Sequence, residues 1–199
     1  MEVSEITKAV TVLNQGGIII FPTDTAFGIG CRIDKPDSVA RLFRIRKRPE
    51  FLPVPVLVDS VWMAQKYLLS PLPNNVRRLM EDCWPGGVTV VYDCQENMVT
   101  SRVRGNGNTL GVRMPDHFKI LEIIKRAAVP ILGPSANFHG DKTPYTMEDL
   151  NKVLLDKVDF VVTGFCRSDT ASTVVDATVN PWKILRQGRT VINLEKYYR

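Results

Sequence analysis

The chain has 199 residues, 44% of them hydrophobic and 24% charged, with a formal net charge of +5. These proportions fit one soluble globular domain over residues 1–199, and no apolar run reaches the ~18 residues of a membrane span. Cys31, Cys83, Cys94 and Cys166 are scattered without a C-x-x-C and His117 and His139 stand alone, which argues against a structural zinc site and for reduced thiols in a cytoplasmic protein. The segment Met1 to Thr11 has no signal-peptide pattern, and no repeats or low-complexity linkers occur. The positive charge suits a polyphosphate or RNA partner, although composition alone favours plain solubility.

Ser4 is placed to cap a first helix whose apolar positions Ile6, Ala9, Val10 and Leu13 share a face; Gly16 and Gly17 end it. Gly17 to Phe21 reads as a buried strand that stops at Pro22, which cannot donate to a ladder. Thr23, Asp24 and Thr25 then place two hydroxyls around a carboxylate at a strand end, the usual site position in α/β sheets. Gly28 and Gly30 permit close approach of backbone or ligand. A second helix starts near Asp37 with Val39, Leu42 and Phe43 inward. Arg41, Arg44 and Arg48 are expected on its exposed side, with Arg46 and Lys47 beside them.

Pro49, Pro53 and Pro55 forbid further helix. Val54 to Val58 reads as a strand, followed by helices at Val61 to Leu68 and Asn75 to Cys83. Trp84 to Gly87 is a turn into a strand at Val88 to Tyr92. Arg102 to Asn108, rich in Gly, Asn and Arg, is expected to be a mobile loop. Leu110 to Pro115 is a short strand carrying Arg113, Asp116 to Ala128 a helix, and Val129 to Leu132 a strand. Thr146 and Asp149 suggest a capping box for a further helix. Val158 to Val162, Thr173 to Val175 and Lys183 to Arg186 are the last strand candidates. Alternating helices and strands make the class α/β, with a mixed sheet expected.

Arg44, Arg46, Lys47 and Arg48 form a basic cluster. A solvated helix end explains Arg44 and Lys47 well. It explains Arg46 and Arg48 less well, because they sit where the helix must break, and arginine forks suit phosphate oxygens. Ser135 and Asn137, two apart after a buried strand, offer polar groups at a strand end; a simple polar turn is the plainer reading. Arg113 after an apolar strand needs an anion, either a buried structural carboxylate or a bound substrate carboxylate. Neither G-x-x-x-x-G-K-S/T nor G-x-G-x-x-G occurs, and no nucleophile has an evident histidine partner.

Six segments carry a resemblance. Pro22 to Gly30 resembles the P-T-D/E-T-x-Y-G-L/I-G signature of the YrdC-domain family, the threonylcarbamoyl-AMP synthases. Arg46-Lys47-Arg48-Pro49 resembles its K-x-R-P, and Ser135-Ala136-Asn137 its S-x-N. Thr109 to Pro115 resembles T-x-G-V-R-x-P, and Ala171 to Asp176 with Ile184 to Gly188 resembles P-S-T-V-V-D and I-L-R-x-G. Three positions depart from the pattern: Arg46 stands for lysine, Leu52 for a polar nucleotide contact, and Phe27 for tyrosine.

The resemblance implies a YrdC-like twisted mixed sheet flanked by helices around a central basic cleft, in the family's short form. It implies formation of threonylcarbamoyl-AMP and pyrophosphate from L-threonine, bicarbonate or CO2, and ATP, with Mg2+ on the nucleotide and no metal site assigned. It implies that Thr25, Arg113, Ser135 and Ser172 hold threonine, and that Arg48, Thr109, Asn137, Thr143, Tyr145 and Arg186 hold ATP. Arg46, Arg48, Ser135 and Asn137 would be catalytic. The product would pass to a threonylcarbamoyl transferase complex for tRNA modification. The alternatives are a paralogue without synthase activity and a tRNA- or double-stranded-RNA-binding module using the same cleft.

Overall fold

The computed structural model describes residues 4–198. Ser4 caps α1 (Glu5–Asn14) by accepting from the Thr7 backbone N–H, and Gly16 leaves it at φ +86°. β1 (Ile19–Phe21) and β2 (Gly28–Gly30) follow, then α2 (Pro36–Ile45), β3 (Val56–Leu57), α3 (Val61–Gln65) and α4 (Asn74–Cys83). β4 (Val88–Asp93), β5 (Thr109–Arg113), α5 (Phe118–Ala127) and β6 (Ile131–Leu132) come next. The chain closes with α6 (Lys152–Leu155), β7 (Phe160–Val161), β8 (Thr173–Asp176) and β9 (Lys183–Arg186). β3 is shorter than the expected Val54 to Val58, since Pro53 and Pro55 have no N–H to donate.

The strands form two mixed ladders, β2-β1-β7 and β6-β3-β5-β4-β8-β9. The segment around β6 stitches them together: Leu132 donates to the Cys31 carbonyl, Ile29 to that of Pro134, and Ala136 to that of Phe27. Gly28 also bridges Ser135. Close approach is what the two glycines of β2 allow, for a Cβ at Gly30 would collide with the Leu132 carbonyl oxygen. Ala9 and Leu13 of α1, Val39, Leu42 and Phe43 of α2, and Ile120, Ile123 and Ile124 of α5 are buried against the sheets. Among the described residues, no helix is long and apolar enough to cross a membrane.

Three expectations are corrected. The basic cluster of α2 is not a common exposed face: Arg41 pairs with Asp159 at 2.6 Å, Arg46 is only 3% exposed, and Arg48 turns into the proline loop. The stretch 102–108 is a run of turns anchored by its own residues. Val103 is fully buried, Arg104 donates to the carbonyls of Val99 and Gly107, and Arg102 pairs with Glu50 at 2.9 Å. Thr146 and Asp149 do exchange capping-box hydrogen bonds, but around an isolated turn; the next helix is α6, capped by Asn151.

Candidate functional site

The register of the larger sheet builds the floor of the site. Leu57 of β3 pairs with Arg113 of β5. The antiparallel β4–β5 ladder pairs Val90 with Val112, which sets Thr89 opposite Arg113. Thr89 pairs on its other side with Val174 of β8, and Val174 with Arg186 of β9. Opposite residues share a face, as do residues two apart, so Ser172 lies on this face too. This face therefore carries Leu57, Arg113, Thr89, Ser172 and Arg186, an apolar group, a cation, two hydroxyls and a cation, with Ser172 two residues along the chain from the register partner Val174. All five line one cleft with about 770 Å³ of empty space, part of it open to solvent.

The wall beside this floor is the turn after β1. Thr23 Oγ donates to the Ala26 carbonyl at 2.7 Å and accepts from the backbone N–H groups of Thr25 and Ala26, folding the chain tightly after Pro22. Thr25 and Asp24 are thereby aimed at Arg113, whose Nη1 donates to Thr25 Oγ at 2.8 Å and whose Nη2 donates to Asp24 at 2.5 Å. Its Nε donates to the Gly86 carbonyl, and Asp24 also accepts from the Asp116 backbone N–H. Both charges are buried, at 6% and 5% exposure. Burial pulls the Arg113 pKa down and Asp24 works against that pull.

The opposite wall carries Arg46, Arg48, Ser135 and Thr143. Arg46 Nε donates to the Asn137 carbonyl and Nη2 to Asn137 Oδ1, while Nη1 is buried without a hydrogen-bond partner. Burial, then the neighbouring charge of Arg48, lowers the Arg46 pKa to about 10. Arg48 donates to the carbonyls of Leu52 and Pro53 and lies 3.3 Å from His139 Nδ1; burial lowers its pKa as well. Ser135 Oγ donates to Asn137 Oδ1 at 2.6 Å, and Asn137 Nδ2 donates to the Asp141 carbonyl. Arg186 closes the rim by donating to the Ser172 carbonyl and hydroxyl.

Thr25, Arg46, Arg48, Arg113, Ser135, Thr143, Ser172 and Arg186 thus meet around one cleft. Three expected residues do not line it. Asn137 stands behind, its polar atoms bracing Arg46 and Ser135. Thr109 opens β5 beside Asp93, four residues from Arg113 and about 13 Å along the strand. Tyr145 lies outside the lining. Two residues that bear on the cleft carried a faint sequence signal: Asp24, a carboxylate between two hydroxyls, and Thr89, a lone hydroxyl in an apolar strand. Neither points to Arg113 without the tertiary register.

Among the described residues, the lining offers hydroxyls and guanidiniums but no carboxylate. No group of three or more His, Cys, Asp or Glu could hold a metal there or elsewhere among them. Hard divalent cations take oxygen ligands and magnesium favours carboxylates and phosphates, so this donor set fits an anion and not a protein-held Mg2+.

A family model, Sua5_yciO_yrdC, described as Telomere recombination, matches residues 11–188. A threonylcarbamoyl-AMP synthase of Bacillus subtilis is 29% identical over 160 residues, 80% of this chain and 46% of its own length. One of Pyrococcus abyssi is 30% identical over 185 residues, 92% of this chain and 54% of its own. This chain thus spans about half the length of these two relatives. The solved structure of Pyrococcus abyssi Sua5 complexed with L-threonine superposes with a TM-score of 0.88 at 29% identity, covering 94% of this chain and 56% of that one. Escherichia coli YciO superposes at 0.83 with 25% identity, covering 96% of this chain and 92% of that one.

Proposed function

The chain belongs to the Sua5/YciO/YrdC family, and from that premise we propose that it is a threonylcarbamoyl-AMP synthase. The observation that carries the reading is the two-sided cleft. One side presents a hydroxyl-rich floor with a buried arginine, of a kind that suits an amino acid; the other carries Arg46 and Arg48 with no carboxylate in the lining and with Nη1 of Arg46 buried and unpartnered, which calls for an anion. Threonine binding by the Pyrococcus abyssi relative supports the first assignment.

On this reading the threonine amine takes up bicarbonate with loss of water to give a carbamate. A carbamate oxygen then attacks the α-phosphorus of ATP as the bond to the bridging β-phosphate oxygen breaks, and pyrophosphate leaves. No protein nucleophile is required; orientation and charge neutralisation suffice. Arg113, Thr25 and Ser172 hold the amino acid in the floor. Arg46, Arg48 and Arg186 neutralise phosphate oxygens, with Ser135 and Thr143 beside them as hydroxyl contacts. Asn137 acts from behind by fixing the forks of Arg46 and the rotor of Ser135. Magnesium enters on the triphosphate as part of the substrate. The product would serve tRNA modification through a separate transferase complex.

The test is pyrophosphate release in the presence of ATP and magnesium. Release that requires both L-threonine and bicarbonate is expected. Well-folded protein that releases none, or releases it without regard to threonine, contradicts the assignment.

A further inference from the structure

The hydroxyl pair at the centre of the floor has one proton more than its internal bonds use. Thr89 Oγ and Ser172 Oγ lie 3.1 Å apart, both residues buried, at 4% and 6% exposure. Arg186 Nη2 donates to Ser172 Oγ at 2.9 Å. A guanidinium can only donate, so it occupies a lone pair of Ser172. The two hydroxyls share a single hydrogen bond, which uses one of their two protons. The other O–H has no acceptor among the described side-chain and backbone groups, and it sits in the lining of the cleft.

We infer that Thr89 is a substrate-binding residue that donates this hydrogen bond to the carboxylate of the amino-acid substrate, beside Arg113. The inference rests on the proposed function and adds a residue to it. Thr89 stands directly across the β4–β5 ladder from Arg113, on the same face, where two side chains reach one ligand between them. Arg113 is already committed to Asp24, Thr25 and the Gly86 carbonyl. A carboxylate arriving there meets a cation whose charge is largely neutralised, so a second donor matters. The chain Arg186 to Ser172 to Thr89 supplies it: each donor polarises the next, and the outgoing proton emerges at Thr89.

Three variants and two ligands test this by calorimetry. Thr89→Val removes the hydroxyl and keeps a β-branched strand residue; Thr89→Ser keeps the hydroxyl; Thr89→Ala serves should valine disturb the fold. Thr89→Val or Thr89→Ala is expected to weaken L-threonine by about tenfold, as loss of one hydrogen bond to a charged group does. Thr89→Ser should stay within about twofold. L-Threoninamide, which lacks the carboxylate, should bind wild type worse than L-threonine, and that gap should shrink in Thr89→Val. A purely structural Thr89 would not move the gap. Pyrophosphate affinity should be the same in all of them. Threonine affinity unchanged in Thr89→Val and Thr89→Ala, or an equal loss in Thr89→Ser, overturns the inference while leaving the proposed function standing. Wild type that binds no threonine at all overturns that function, and the inference with it.

Discussion

The two sides of the cleft each bury an arginine and treat it in opposite ways. Arg113, at the floor, is matched: a carboxylate, a hydroxyl and a carbonyl meet its fork. Arg46, on the opposite wall, is left short: Asn137 holds two of its nitrogens and the third is buried with nothing to donate to. A buried pair holds a fold together, whereas a buried cation with a spare donor costs stability until an anion arrives. The same residue type is therefore already matched before a ligand arrives on one side, and left with a spare donor on the other. Sites that bind charged ligands accept such a cost because the ligand removes it.

The largest expected effect comes from breaking the matched side. Asp24→Ala leaves the Arg113 charge buried and unpaired, so it should cost about 3–5 kcal/mol in urea denaturation. If instead stability is unaltered, Asp24 is not the counter-ion of a structural pair and the contrast between the sides fails. Next is Arg48→Ala. Loss of one charge-neutralising donor during pyrophosphate departure should lower turnover by about 10²–10³-fold, with circular dichroism unchanged. Part of any loss would come from freeing the carbonyls of Leu52 and Pro53, so Arg48→Lys, which keeps the charge, should recover some turnover.

Arg46→Met sharpens the comparison by sign. Replacing a poorly paired buried cation with an apolar chain of similar length should leave ligand-free stability unchanged or raise it by about 1–2 kcal/mol, the reverse of Asp24→Ala. A clear destabilisation in the same denaturation experiment would show that Arg46 is structural. The smallest effect is expected at Leu52. Its side chain does not line the cleft, and its carbonyl is what Arg48 uses. Leu52→Lys should therefore tighten ATP by at most about fivefold, the range of an exposed charge contact.

Much of this was readable before any coordinates. The cap at Ser4, the stop at Pro22, the buried stripe of α2 and the class of the fold follow from local chemistry, which the sequence displays directly. Thr25 and Ser135 were likewise visible as polar groups at strand ends and Arg113 as a cation in need of an anion, whereas Ser172 came only from the family resemblance. What stayed hidden depends on register. Asp24 reads as one more polar residue until β5 brings Arg113 to it, and Thr89 gains meaning only from its neighbours on β5 and β8. Thr109 shows the same dependence: four residues along β5 put it outside the cleft lining that Arg113 joins, although the two share one motif in sequence. The Thr146 and Asp149 pair misled because a capping box satisfies a turn as readily as a helix start. The turns at 102–108 looked loose because two of their anchors, the Val103 carbonyl that accepts from the Val54 N–H and the Arg102 pair with Glu50, are contacts with residues far away in sequence.

One measurement tests the division of the cleft most directly: calorimetric titration of L-threonine and, separately, pyrophosphate into wild type and Arg46→Met. The account predicts that pyrophosphate weakens by about 10–100-fold in the variant, as loss of hydrogen bonds to a charged group does, while threonine affinity stays within about twofold. Equal loss for both ligands, or loss for threonine alone, would contradict it, because the two sides would then not be separate sites for an amino acid and an anion.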